Sequence, residues 1–375
     1  MFVFACAGCG GELTTPLYRV ALPAHARQTY GNGIQLPVLM EAGTFAEEPE
    51  PWGPSWRDGA GLPPDGAGLC PGGVEGRGVR FPVPVLSGGG PGSIVLAPGD
   101  VRGTVPVPER LGGTCCGLDG TDGPNLACDA CGRPVASRID DCSLWQAVRL
   151  VPHAVRRLPV GGPAPAPLTW AELLTEGKST PLFEPIATWG GHLGTGHFWS
   201  WSPRWEAAAG WTLAHLVAAS EGRPVTVPDG LSKDVFRRAL DSLLPPGAPP
   251  RRAVLAGPGR PRPDADADIV LVPTHPRTGR WWTPADPAAC TASPVPLPFG
   301  VWLCLAFPRP HLPVPASGGL PDGVLRDDPL PPRPGFVFRP DRDVFRRTLA
   351  RLPHIGRPWM RTVRDRSDGP LRQPF

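Results

Sequence analysis

The chain has 375 residues, 41% of them hydrophobic, with 13 Trp, 48 Gly and 55 Pro. That length predicts two or three domains with a sizeable core, and the tryptophans argue against a wholly disordered chain despite the abundance of Gly and Pro. The net charge of +3 excludes a uniformly basic or acidic protein, and no apolar run approaches the roughly 18–20 residues that a membrane-spanning helix needs.

Charge is distributed unevenly. Residues 1–150 hold 15 acids against 10 Arg, a net of −5, whereas residues 339–375 hold 10 Arg against 4 Asp, a net of +6. An acidic front and a basic tail predict intramolecular pairing or an anionic partner. No basic n-region precedes the short apolar start Met1–Ala5, so the expected location is cytoplasmic, where paired cysteines indicate metal rather than disulfides.

From the N-terminus, Phe2–Ala5 and Leu13–Leu17 read as strands flanking Cys6-Ala7-Gly8-Cys9-Gly10. Tyr30–Gly33 is a turn signal. Residues 41–78 are acidic and turn-rich and predict an irregular surface insertion, anchored by Trp52 and Trp56. Val79–Leu86, Ser93–Ala97 and Gly103–Val107 read as strands. A Gly-rich loop with Cys115 and Cys116 leads to Cys128-Asp129-Ala130-Cys131-Gly132, and Pro134–Ile139 repeats the role of Leu13–Leu17. Asp140-Asp141-Cys142 follows, then Ser143–Leu150 as a short helix or strand. These elements predict a β domain over 1–158.

Residues 159–167 (PVGGPAPAP) read as a linker to a second domain, 168–375. Thr169-Trp170-Ala171-Glu172 is a capping box, so a helix should start at Trp170. Pro203 opens a second helix with apolar residues at helical spacing, ended by Gly222. Asp234–Leu240 (DVFRRAL) recurs as Asp343–Leu349 (DVFRRTL), each copy between strand-like pieces. This predicts a duplicated strand–helix–strand unit at 225–256 and 336–363. Asp268–Val272 and Gly279–Thr283 predict a hairpin. Gly300–Phe307 reads as a buried strand, and residues 308–335 as loop.

The chemistry-bearing residues follow from spacing. Two C-x2-C-G knuckles suit a four-thiolate tetrahedral zinc site, which predicts Cys6, Cys9, Cys128 and Cys131 as structural ligands. A local alternative set is Cys116, Cys128, Cys131 and Cys142. Cys115, Cys116 and Cys142 could instead form a second, incomplete site with an open coordinate, or pack as small buried residues. Cys70, Cys290 and Cys304 have no partner by spacing. His192 and His197 lie among glycines that do not fix them on one face, with Glu184 the nearest upstream acid. Asp264, Asp266 and Asp268 alternate as a strand would present them, either to a hard cation or to solvent. No nucleophile elbow, P-loop or H-E-x-x-H is present.

The stretches FACAGCGGELT, CCGLDGTDGPNLACDACG and ASRIDDCSLWQAV resemble an uncharacterised protein family of high-GC Gram-positive bacteria with CxxCG zinc-ribbon-like knuckles. The resemblance covers mainly residues 1–150 and implies no known activity. The expectation is an α+β protein with a zinc-ribbon-like N-terminal β domain. Its expected role is non-catalytic binding or scaffolding with structural zinc, with a protein partner favoured over nucleic acid and no membrane association. The alternatives are a nucleic-acid-associated zinc-ribbon protein, and an enzyme using Cys115/Cys116/Cys142 or His192/His197.

Overall fold

In the computed structural model of the chain, the described residues are 1–29, 36–48, 92–113, 115–142, 144–179, 203–247, 249–284, 291–308 and 337–368. The turn at 30–33, Trp52, Trp56, the strand expected at 79–86, Cys70, Cys290, Glu184, His192, His197 and the loop expected at 308–335 lie outside them, save Pro308. The protein is mixed α+β, and its chain divides into two compact units, Met1–Ala166 and Pro167–Phe375.

Among the described residues the first unit is built of nine strands: β1 (Phe2–Cys6), β2 (Tyr18–Arg19), β3 (Thr44–Glu48), β4 (Ser93–Leu96), β5 (Thr104–Pro106), β6 (Leu126–Cys128), β7 (Pro134–Ile139), β8 (Ala147–Leu150) and β9 (Val155–Pro159). Seven of them form one sheet in the order β2-β3-β4-β8-β7-β6-β5, and β1 pairs antiparallel with β9. Every residue of β8 is buried, including Arg149, as expected of a central strand covered on both faces. The flanking segment 11–17 folds back on β1, with the Leu13 and Leu17 amides donating to the Phe4 and Phe2 carbonyls at 2.8 and 2.7 Å. Phe4 and Phe45 meet edge-to-face at 5.1 Å in the core between them.

Two expectations for this unit are corrected. Leu13–Leu17 is not a strand: Thr14 and Leu17 make only isolated bridges, to Val101 and Phe2. Residues 41–78 are not wholly an irregular surface insertion, because Thr44–Glu48 is strand β3, paired with β4, and Phe45 is fully buried. Turn-forming and acidic residues around it mask a five-residue strand whose buried acid, Glu48, finds partners inside the unit.

The second unit begins with α1 (Trp170–Ser179). Its capping box is formed: the Thr169 amide donates to Glu172 Oε2 at 2.7 Å and the Glu172 amide to Thr169 Oγ1 at 3.3 Å. α2 (Pro203–Ser220) is apolar on nearly all faces and buried accordingly. Then come β10 (Val225–Thr226), α3 (Leu231–Leu243), β11 (Arg251–Leu255), β12 (Ile269–Thr274), β13 (Ser293–Pro298), α4 (Phe299–Ala306), α5 (Arg342–Leu349) and α6 (Pro358–Asp368). The four strands form a parallel sheet in sequence order. β12 (IVLVPT) is buried throughout, the near-continuous apolar run of a parallel sheet.

β13 reads Ser-Pro-Val-Pro-Leu-Pro and pairs only with β12 among the described residues. Successive strand residues point their amides to opposite sides, so prolines at alternate positions place all their missing donors on the open edge. The Pro296 carbonyl on that edge accepts from Thr212 Oγ1 of α2 at 3.1 Å.

Three expectations change here. Gly300–Phe307 is not a strand: residues 299–306 form α4, and a short apolar run cannot be told from a buried helix by periodicity alone. The duplicated unit is a strand–helix–strand only in its first copy, β10-α3-β11. In the second copy the helix α5 forms, but residues 337–341 are not a strand and Trp359–Val363 belong to α6. Pro358 at the first helical position and the burial of Met360 and Val363 on one face select the helix there. Finally, the hairpin expected at 268–283 is reduced to one antiparallel bridge, Thr274 to Trp281, because β12 takes both its ladders from parallel neighbours.

A close approach sets the position of α5. A Cβ at Gly210 of α2 would lie 2.3 Å from the Asp341 carbonyl oxygen. Asp341 caps α5 through Oδ1, which accepts from the Val344 amide at 2.8 Å, and its own amide donates to the Glu206 carbonyl at 2.8 Å. Gly210→Ala in an ordinary helix would gain about 1 kcal/mol of propensity. Here it is expected to cost about 1–3 kcal/mol, because the new methyl meets backbone that holds a cap. Urea unfolding of the variant checks this, and an increase in stability would show that the two helices slide apart freely.

Candidate metal centre

β1 ends on Cys6 and β6 ends on Cys128, so each strand delivers the first thiol of a knuckle. The two turns repeat each other bond for bond. The Gly10 amide donates to the Cys6 carbonyl at 2.9 Å, and the Gly132 amide to the Cys128 carbonyl at 2.8 Å. The Cys6 amide donates to the Gly11 carbonyl at 2.8 Å, and the Cys128 amide to the Arg133 carbonyl at 2.8 Å. Gly10 and Gly132 have φ of +81° and +72°, the left-handed conformation that glycine adopts without a Cβ penalty. The glycine after the second cysteine of each C-x2-C is therefore part of the turn.

The structure brings Cys6, Cys9, Cys128 and Cys131 together, with their Sγ atoms all within 4.8 Å of one another. Cys6 and Cys131 are 3.6 Å apart, and Cys9 and Cys128 are 3.5 Å apart. Each knuckle contributes one buried thiol, Cys6 or Cys128, and one exposed thiol, Cys9 or Cys131. The alternative set of Cys116, Cys128, Cys131 and Cys142 is divided between two groups. Cys116 and Cys142 lie with Cys115 and Asp141 instead. Both groups could hold a metal ion, and the described cysteines form no disulfide.

Electrostatics at the knuckles are those of crowded thiols. Burial pushes the Cys6 thiol up, but the Cys9 and Gly8 amides and the Cys131 and Cys9 thiols outweigh it and bring Cys6 down to about 7. Cys131 moves the other way. The Arg133 amide draws it down, but Cys6, burial, Cys9 and Cys128 together push it up to about 12. Four such thiols share protons rather than ionise independently, and a divalent cation favours the fully ionised set.

Other sequence candidates have structural occupations. Arg252 takes Asp264 at 2.9 Å and Asp266 at 2.5 Å, and its amide donates to Asp268 Oδ2 at 2.8 Å. The three aspartates thus hold β11 and its neighbours through arginine rather than presenting oxygens to a cation. Cys304 is buried in α4. Asp141 is not singled out by spacing, although an acid next to Cys142 is the available signal.

Comparison of the chain with family models, curated proteins and solved structures returned no match. No helix of the described residues is long and apolar enough to cross a membrane.

Proposed function

We propose that the chain is a zinc-binding protein in which the ion is structural, held by Cys6, Cys9, Cys128 and Cys131, and that its role is binding or scaffolding rather than catalysis. The convergence of four sulfurs from two matching knuckles carries this reading. Sulfur separations of 3.6 and 3.5 Å lie close to the roughly 3.8 Å of a tetrahedral ion with bonds of about 2.3 Å to sulfur. A shell of four thiolates leaves no coordinate for water or substrate, so the ion acts on folding. It joins β1 to the β6–β7 hairpin, segments far apart in sequence, and the closure of long loops is where a cross-link constrains the unfolded chain most.

A protein partner is favoured over nucleic acid by the placement of two aromatic residues of the basic tail, Phe345 and Trp359, among the described residues. Phe345 is fully buried and Trp359 packs against the core of its unit, so neither is available as a platform on which bases would stack.

Elemental analysis of the reduced protein should find zinc, with one equivalent lost in Cys6→Ser and in Cys128→Ser. Chelation should lower the Tm of the wild type, since binding energy at such a site is folding energy. Full zinc content in both variants would sink the proposal.

A further inference from the structure

The second cysteine group is built as deliberately as the first. It joins the loop after Pro108–Arg110 to the link between β7 and β8. Leu118 and Asp140 exchange backbone hydrogen bonds of 3.0 and 2.8 Å, clamping the two segments. A Cβ at Gly113 would lie 1.6 Å from the Gly117 carbonyl oxygen, and one at Gly117 would lie 1.9 Å from the Asp140 carbonyl oxygen. Glycine is therefore required at both positions for the loop to press this closely against residues 140–142.

Within the clamp, Asp141 Oδ1 accepts from the Cys116 amide and from the Cys116 thiol, both at 3.0 Å. The Cys142 amide donates to Cys116 Sγ at 3.3 Å, and Cys142 Sγ lies 3.1 Å from Cys115 Sγ. The donor atoms of all four residues fall within 4.8 Å of one another. Asp141 is only 3% exposed, and among the described residues its carboxylate is held by the amide and thiol of Cys116. A buried carboxylate is ordinarily paired with a cation or coordinates a metal.

We propose that Cys115, Cys116, Asp141 and Cys142 form a second site, for a thiophilic divalent cation such as Zn2+, bound through three sulfurs and one carboxylate oxygen. Three thiolates exclude Mg2+ and Ca2+, which take shells of oxygen. The donor count and convergence suit a four-coordinate ion. None of the three thiols is buried, whereas two of the knuckle thiols are. One ligand is a carboxylate rather than a fourth thiolate. The second site is accordingly the more exchangeable, and a chelator should empty it first.

The site does not depend on the knuckle reading, and a cobalt titration separates the two. Reduced, metal-free protein is titrated with Co2+ under anaerobic conditions, following the thiolate-to-cobalt absorption, and bound ions are counted by native mass spectrometry. Two equivalents are expected for the wild type, one for Cys142→Ser and one for Cys9→Ser. Cys115→Ser provides a control against misfolding because Cys115 is exposed, and it should also bind one. Asp141→Asn should keep the sulfur absorption but weaken binding of the second equivalent at least tenfold. One equivalent in the wild type, kept by Cys115→Ser and lost in Cys9→Ser, would overturn the second site and leave the knuckle site standing. One equivalent kept by Cys9→Ser and lost in Cys115→Ser would support the second site and sink the first. No binding at all would overturn both.

Discussion

Glu48→Ala is expected to destabilise the N-terminal unit by about 3–5 kcal/mol, read as a lower urea midpoint at unchanged slope. Glu48 ends β3 and is fully buried. One carboxylate oxygen accepts from Arg27 Nε at 3.1 Å and is also held by Arg27 Nη2. The other lies 3.5 Å from Arg149 Nη1 on β8. The Arg27 side chain is 25% exposed and can swing into water, but that of Arg149 is 5% exposed and cannot. Burial already pulls Arg149 down to about 10, and Glu48 is the group that opposes this. Removing the carboxylate takes from Arg149 the negative charge that opposes the cost of its burial, and that penalty exceeds what the ion pair contributes as a pair. Replacing Glu48 and Arg149 together by leucine should therefore cost much less than Glu48→Ala alone. A change below about 1 kcal/mol in the single variant would mean that water reaches Arg149.

Trp302→Ala should cost the C-terminal unit about 3–5 kcal/mol in the same measurement. Trp302 is fully buried on α4, packs against the rings of Phe299 and Phe307 at 5.9 Å, and donates from Nε1 to the Ala256 carbonyl at 3.0 Å. Its ring fills the space beside Gly257, where a Cβ would lie 2.2 Å from Cζ2. With that glycine on one side and sheet residues on the other, the cavity left by alanine has little freedom to collapse. Trp302→Phe keeps most of the ring volume and loses the hydrogen bond, so a cost of about 1–2 kcal/mol is expected. Equal losses in both variants would show that the hydrogen bond, rather than packing, dominates.

The elements that can be read from the sequence are those whose causes are local. The capping box at Thr169–Glu172, the proline-initiated helix α2 and the strand leading into Cys6 depend on residues within a few positions of each other. The same holds for each C-x2-C-G turn, where backbone geometry fixes both the cysteine spacing and the following glycine. Gly300–Phe307 and Trp359–Val363 mislead because short apolar or mixed segments suit either state until packing selects one. Glu47 and Glu48 look like part of a solvated acidic stretch; the arginines that bury Glu48 are Arg27 and Arg149, remote in sequence.

By itself the sequence determined that four thiols stand in two matching turns, because the donors and the positive-φ glycine lie within five residues. Only the tertiary structure decided which thiols share a group. Strand pairing sets Cys6 and Cys9 beside Cys128 and Cys131, and a clamp of backbone hydrogen bonds turns Asp141 toward Cys115, Cys116 and Cys142. The physical reason is that spacing along a chain governs turns, whereas a coordination shell needs atoms a few ångströms apart in space, and that distance is set by packing between segments the sequence keeps apart.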